Sequence, residues 1–442
     1  MEETSYKIER HIDALDGVRA LAIMLVAWFH VWEQDWLTPY IELDNTVTRY
    51  FGITESNIHT IVRFGFNAVE ALIIVSAVVN FLPYARSIVF GEKWPDTRSF
   101  YKKRAIRVIP SYLLCVFIMF TSGVISGAYA AHGGVRFAVK DLLSHLTFTS
   151  TFFPSVYRSA IITGALWTVQ VEVIYYILLP FLAKAFRRRP AITVFVLCAV
   201  GMISGNILAY HASDPWGVNN FCTTFAGSYA CGMLICMIYY TAKKAGVENR
   251  YTQIAGVLVM IGAVLCYNMI MEQFYEVSRP IGQLLKRFPI VLTISLFILG
   301  LLFSAEPIQK FFGNFIFKFI CVISYNFYIW HQAIAVFLKN HRIPAWEGET
   351  PPNQLGDAVW SRKYSSIVWL TTLTVSMVLT FGFERPISRY LSKKMKIRGD
   401  YGEEYEWFGK QRKSGICHCG CAQYFNVSDP DVDFDGKWPF FP

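Results

Sequence analysis

Apolar residues in this chain come in long blocks separated by short polar stretches, many of them basic. The blocks run about 17–25 residues, the length an α-helix needs to cross a bilayer core. They predict ten helices, at 14–33, 62–83, 105–127, 165–186, 191–210, 220–240, 252–271, 288–305, 319–338 and 364–386. The expected fold is therefore all-α: a polytopic transmembrane helical bundle of about ten spans. Residues 128–164, with Gly133-Gly134 and Pro154, are long for a simple connection. That stretch is expected either to fold over the protein or to re-enter the membrane.

The charges between the blocks set an orientation. Lysine and arginine near span ends mark the cytoplasmic side. Alternate loops are basic: one carries Arg86, Lys93, Arg98, Lys102, Lys103, Arg104 and Arg107, another Arg187-Arg188-Arg189, a third Lys243, Lys244 and Arg250. Arg389, Lys393, Lys394, Lys396 and Arg398 follow the last span, whereas 34–61 holds only Arg49 and several acids. Both termini are expected in the cytoplasm. The stretch 272–287, with Arg279, Lys286 and Arg287, is discordant. On this pattern residues 1–390 form a transmembrane domain and 391–442 a short cytoplasmic tail. The N-terminus has no cleavable signal pattern, so the first span is expected to serve as an uncleaved signal anchor. The chain is expected to be a multi-pass protein of the plasma membrane or an endomembrane.

Composition supports this placement. Of 442 residues, 54% are hydrophobic and 16% aromatic, and the mean hydropathy is +0.35. A soluble chain of this length is normally more polar and divides into two or three domains. The net charge of +9 resides in short loops. Nucleic-acid binding would require an exposed basic module, so no nucleic-acid partner is expected. Ten cysteines are present, several isolated within apolar blocks, as Cys115, Cys198, Cys231 and Cys321 are. They read as buried small hydrophobes without a disulfide framework. The run Cys417-His-Cys-Gly-Cys421 could bind metal or accept lipid. It lacks a second ligand pair at zinc spacing, and no metal is expected.

One span carries an unusual pair. Arg19 and His30 are eleven residues apart, about 1100° around a helix and within roughly 20° of three full turns. They share a face, about 16 Å apart along the axis. Both are costly against lipid and should face the bundle interior or a wet cavity. The plainer alternative is that Arg19 snorkels to the interface and His30 is a satisfied interior histidine.

Six blocks together resemble acyltransferase family 3, membrane enzymes that O-acylate carbohydrates and related molecules. Arg-x10-His in the first span is that family's signature, and Asp16-Gly17-x-Arg19-Ala20-x-Ala22 looks like its first-span opening. Gly65-Phe66-Asn67-Ala68-Val69-Glu70, followed by Val75-Ser76, is similar to its second block. Arg104-Ala105-Ile106-Arg107-Val108-Ile109-Pro110 resembles its Arg-x-x-Arg-Ile-x-Pro. Leu166-Trp167-Thr168-Val169-Gln170-Val171-Glu172, Ile323-Ser324-Tyr325-Asn326-Phe327-Tyr328-Ile329-Trp330-His331 and Phe383-Glu384-Arg385-Pro386 complete the series. The resemblance covers about 11–390. Ala77 stands where the family usually has glycine, Thr168 where it has serine, and Val173 where a second glutamate often follows. These departures bear on pocket shape and acceptor.

The resemblance implies an O-acyltransferase drawing on acyl-CoA, most simply acetyl-CoA, and acting on a carbohydrate or small-molecule acceptor. Acyl transfer to a hydroxyl needs a base, a held donor and oxyanion stabilisation. Histidine titrates near neutrality, so His30 suits the base. A carboxylate could orient it, and the topology puts Glu70 and Glu172 in the same outer half, from which either could reach it. Isolated glutamates there also serve as interfacial caps. Arg104 and Arg107, three apart, share a helix face at a depth close to Arg19. Guanidinium groups bind phosphates in bidentate fashion, so the three arginines suit the coenzyme A end of the donor. Positive-inside topology would also place Arg104 and Arg107 there. His331 either lines the donor channel or packs against Tyr325 and Tyr328. A different class, a proton-coupled transporter or flippase, would use buried His, Glu and Arg groups as well, although no internal repeat of the kind transporters carry is visible. Expected partners are thus membrane lipids, acyl-CoA and the acceptor.

Overall fold

In the computed structural model the described residues are 10–37, 40–42, 55–57, 62, 65–274 and 277–395. Among the described residues ten helices are long and apolar enough to cross a membrane, and the chain is a multi-pass membrane protein. They are α1 (Asp13–Asp35), α2 (Ala68–Phe90), α3 (Thr97–Ile125), α4 (Trp167–Arg188), α5 (Pro190–His211), α6 (Ala226–Ala245), α7 (Arg250–Gln273), α8 (Arg279–Phe303), α9 (Phe315–Asn340) and α10 (Ala358–Leu379). A five-residue π-helical turn, Thr380–Glu384, joins α10 to a final helix, Arg385–Lys394. A two-stranded antiparallel ribbon pairs Tyr40–Glu42 with Glu55–Asn57. The Cys417–Cys421 run and most of the predicted tail lie outside the described residues.

Short polar residues fix where several helices begin. Their side-chain oxygens accept the first-turn N–H groups that have no intrahelical partner. Asp96 accepts from Ser99 at the head of α3, Asn314 from Phe317 at α9, and Asp357 from Val359 and Trp360 at α10. Asn249 and Thr252 form a reciprocal capping box at α7. Asp13 and Asp16 place negative charge on the first turn of α1, where the helix dipole favours it.

All ten predicted spans are present, but several helices are longer than their apolar windows. α3 starts at Thr97 and α8 at Arg279, eight and nine residues before the predicted starts at 105 and 288. A hydropathy window marks hydrocarbon. It cannot mark a helical turn that carries charge into the interior with partners. The discordant basic stretch has the same explanation: Lys286 and Arg287 are buried within α8, so they carry no topological signal.

α1 packs against α2, α9 and a short helix, Glu306–Phe312. Gly17 makes the last contact possible, since a Cβ there would lie 2.1 Å from the Phe312 carbonyl oxygen. α2 crosses α6 closely at Gly232, whose Cβ would meet that of Ala77 at 2.5 Å. The alanine at 77 is therefore accommodated by a glycine on the facing helix. The described cysteines are all unbridged.

The helices alternate in direction, giving the bundle two ends. At the basic end Lys318 pairs with Asp13 at 2.5 Å, Lys244 donates to the Val89 carbonyl, and Arg187 lies over Trp94. The segment 128–164 carries a helix at Gly134–Leu146 and packs against α3 and α4. It is pinned there by Tyr112 donating to the His145 carbonyl and by Ser150 bonded to Gln170. With an even number of spans, residues 10 and 391 belong to the basic end. If that end is cytoplasmic, an epitope tag inserted at Lys93 is shielded from antibody applied to the non-cytoplasmic face of sealed membranes, whereas one at Glu347 binds. Antibody binding at position 93 in sealed membranes would reverse the orientation.

Candidate active site

The polar residues of the bundle interior form a ladder from the basic end to the far end. Its first rung gathers α1, α3, α9 and the π-helical turn. The turn shifts the helical register, and Glu384 points inward, accepting from Asn326 Nδ2 at 2.5 Å. π-helical turns often occur at functional sites. Arg107 and Arg19 both act electrostatically on Glu384 and on Cys321. Cys321 donates to Asp16 at 3.5 Å. Arg19 and Arg107 thus lie near the same two groups.

The second rung is centred on Glu172. Its carboxylate accepts from Tyr176 Oη at 2.8 Å, and Tyr176 is 3.4 Å from Ser76 Oγ. The Arg104 guanidinium lies 5.8 Å from the Tyr176 ring centre. Thr168, in the serine position of the family block, donates its hydroxyl to the Ala165 carbonyl at 3.2 Å.

The third rung is at the far end of α1. His30 Nδ1 lies 2.9 Å from Glu33 Oε2, one helical turn on. Glu33 Oε1 accepts from Arg279 at 2.9 Å. The Arg279 guanidinium is seated among Phe29, Phe66 and Trp216, at 4.7, 4.9 and 5.5 Å from their ring centres. The His331 ring is 5.2 Å from that of His30, and the Gln332 amide nitrogen is 3.4 Å from His30 Nδ1. A ring nitrogen that faces a carboxylate or a carbonyl carries the proton. In the tautomer whose Nδ1–H donates to Glu33, Nε2 keeps the lone pair that a base needs. His331 Nδ1–H donates to the Tyr328 carbonyl at 2.5 Å, and its buried Nε2 has no partner among the described residues.

The structure does not pair His30 with either glutamate expected to orient it. Glu172 belongs to the second rung with Tyr176. Glu70 is buried against Arg287 at 2.7 Å and also accepts from Ser228. Arg287 in turn donates to the Asn219 carbonyl, Thr224 and Asn220. This cluster ties α2, α6 and α8 together. Glu70 cannot leave it without stranding a buried guanidinium.

Sequence reasoning missed Glu33, Arg279, Arg287 and Glu384. Glu33 was detectable as His30-x-x-Glu, since residues three apart meet on a helix. Glu384 stood within the last family block without a role. Arg279 and Arg287 were hidden in a stretch read as a loop, and nothing local tells a buried arginine from an interfacial one.

A family model described as an acyltransferase domain matches residues 12–383. Nodulation protein 10 of Rhizobium leguminosarum bv. viciae is 22% identical over 160 residues, 33% of this chain and 43% of that protein. A protein of Staphylococcus aureus strain COL, provisionally named an O-acetyltransferase, is 19% identical over 373 residues, 79% of this chain and 54% of its own length. Its counterpart in strain MW2 matches at the same identity and coverage. The chain thus spans about half the length of these relatives. No solved structure matches.

Proposed function

The chain belongs to the acyltransferase family defined by that domain, matched over residues 12–383, and from this premise we propose that it is a membrane O-acyltransferase. It takes an acyl group, most simply acetyl, from cytoplasmic acyl-CoA. It places that group on a hydroxyl of a glycan, a glycolipid or a small metabolite. The observation that carries this reading is the ladder itself, in which a cationic rung and an imidazole–carboxylate rung sit toward opposite ends of one bundle interior.

In this reading the basic end is cytoplasmic. Arg19, Arg107 and Arg104 hold the phosphates and pantetheine arm of the donor, whose thioester reaches toward His331. The acceptor hydroxyl attacks the thioester carbonyl carbon while its proton passes to His30 Nε2. Glu33 fixes the imidazole and stabilises the imidazolium that forms. The tetrahedral intermediate collapses, the C–S bond breaks, and the imidazolium returns its proton to the departing thiolate. Gln332 brings an amide donor beside this centre. The S. aureus relatives, named as O-acetyltransferases, support the acetyl group as the simplest cargo.

The donor half is tested by acyl-CoA binding to purified Arg19→Ala and Arg107→Ala proteins. A hydrogen bond to a charged group contributes roughly 1.5–3 kcal/mol, so each affinity is expected to fall about ten- to hundredfold. Unchanged affinity in both variants would remove the arginines from donor binding.

A further inference from the structure

A cavity lies on the flank of α1 opposite the Arg19–His30 line. It is an apolar groove of about 360 Å³ between α1, the start of α2, α7 and α8. Leu21, Leu25 and Val264 line it, and Phe312 lies in its wall. Leu21 is 40% exposed and Val264 48%, so the groove opens sideways, where the bilayer core lies. Along α1 it runs from Val18 to Leu25, about 10 Å at 1.5 Å per residue.

Its polarity is graded. The half toward the basic end is hydrocarbon, whereas Asn67, Tyr267 and Asn268 line the half toward the far end. Asn67 is followed back along the chain by Phe66, over whose ring Arg279 sits. The angular order on α1 links groove and site. Relative to the Arg19–His30 line, Leu21 and Leu25 lie about 130–170° round the helix, with Phe29 and Glu33 between, at about 90° and 50°. The apolar groove therefore leads up to the Arg279–Glu33 pair, and His30 lies just beyond.

We propose that this groove holds the hydrocarbon chain of the acceptor, which is an amphiphile. Its polar head then lies against Arg279 and Glu33, with a hydroxyl presented to His30. The inference rests on the reading of His30 as the transfer base. α1 stands between the groove and the ladder, so the chain in the groove is the acceptor's and not the acyl chain of the donor. An apolar groove open to lipid matches an alkyl chain, and the cation at its outer end matches a polar or anionic head.

The test uses the full-length protein in detergent. The probe is a single-chain alkyl glucoside with a diazirine in its chain. Photo-adducts are expected to concentrate on Leu21, Leu25 and Val264. The double variant Leu21→Trp/Val264→Trp is expected to lose most of these adducts. It should also transfer acyl groups from radiolabelled acetyl-CoA to a total lipid extract of the source membranes at least tenfold more slowly, with acyl-CoA affinity unchanged. Adducts spread over bilayer-facing residues such as Phe195 and Ile203 in proportion to their exposure would overturn the groove. Wild-type rates of transfer by the double variant, or a radiolabelled product found only in the aqueous phase, would overturn the acceptor assignment alone. If wild-type protein transfers no acyl group while groove adducts persist, the transferase reading fails instead, and the acceptor assignment fails with it.

Discussion

His30→Ala is expected to lower acyl transfer by about 10²–10⁴-fold, the usual contribution of a positioned general base. Acyl-CoA affinity should be retained, because Arg19 lies eleven residues back along α1, about 16 Å from His30. Glu33→Gln should cost less, since the amide still accepts from His30 Nδ1–H but no longer offsets the charge of the imidazolium. The measurement is turnover per folded, membrane-inserted molecule, which separates chemistry from abundance. If His30 is an interior packing residue, the substitution lowers the amount of protein and leaves turnover per molecule near wild type. That result would transfer the base to His331, whose Nε2 is buried without a partner among the described residues.

Arg287→Ala is expected to destabilise the bundle, with little direct effect on chemistry. Arg287 and Glu70 are 3% and 5% exposed, and Arg287 also satisfies the Asn219 carbonyl, Thr224 and Asn220. Removing one partner of a buried ion pair leaves the other charge uncompensated and costs about 3–5 kcal/mol. The consequence is a marked fall in thermal stability in detergent and in the yield of folded protein. The double variant Glu70→Gln/Arg287→Met removes both charges and should recover part of the loss. A stability equal to wild type in Arg287→Ala would mean that the cluster does not hold α2, α6 and α8 together.

The fold was legible because a bilayer-spanning helix writes its length directly into hydropathy, and ten blocks produced ten helices. The starts of α3 and α8 were not, because their first turns carry arginine and lysine outside the apolar window: Arg98 of α3 is exposed, and Arg279 of α8 pairs with the distant Glu33. The same limit governs the site. Arg19 and His30 were visible as one face of one helix, and Arg104 with Arg107 as a pair on another. Which carboxylate meets His30 depends on how α1, α2 and α8 cross. The sequence offered Glu70 and Glu172 at plausible depths, but the crossing of α2 with α8 gives Glu70 to Arg287, and Tyr176 on the next turn holds Glu172. The local candidate, Glu33, was available at a spacing of three. The partner that holds it, Arg279, comes from nearly 250 residues away, as its contact with Glu33 spans.

On the proposed function, acyl transfer runs through the bundle interior with no ion gradient involved. The direct measurement supplies detergent-purified protein with radiolabelled acetyl-CoA and an extract of the source membranes, in the absence of any gradient. The predicted result is an alkali-labile, acyl-labelled product that forms with wild-type protein and is lost in His30→Ala. No labelled product in detergent, together with gradient-driven movement of a solute by the same protein in liposomes, would contradict the account and identify the buried histidines and carboxylates as a proton relay.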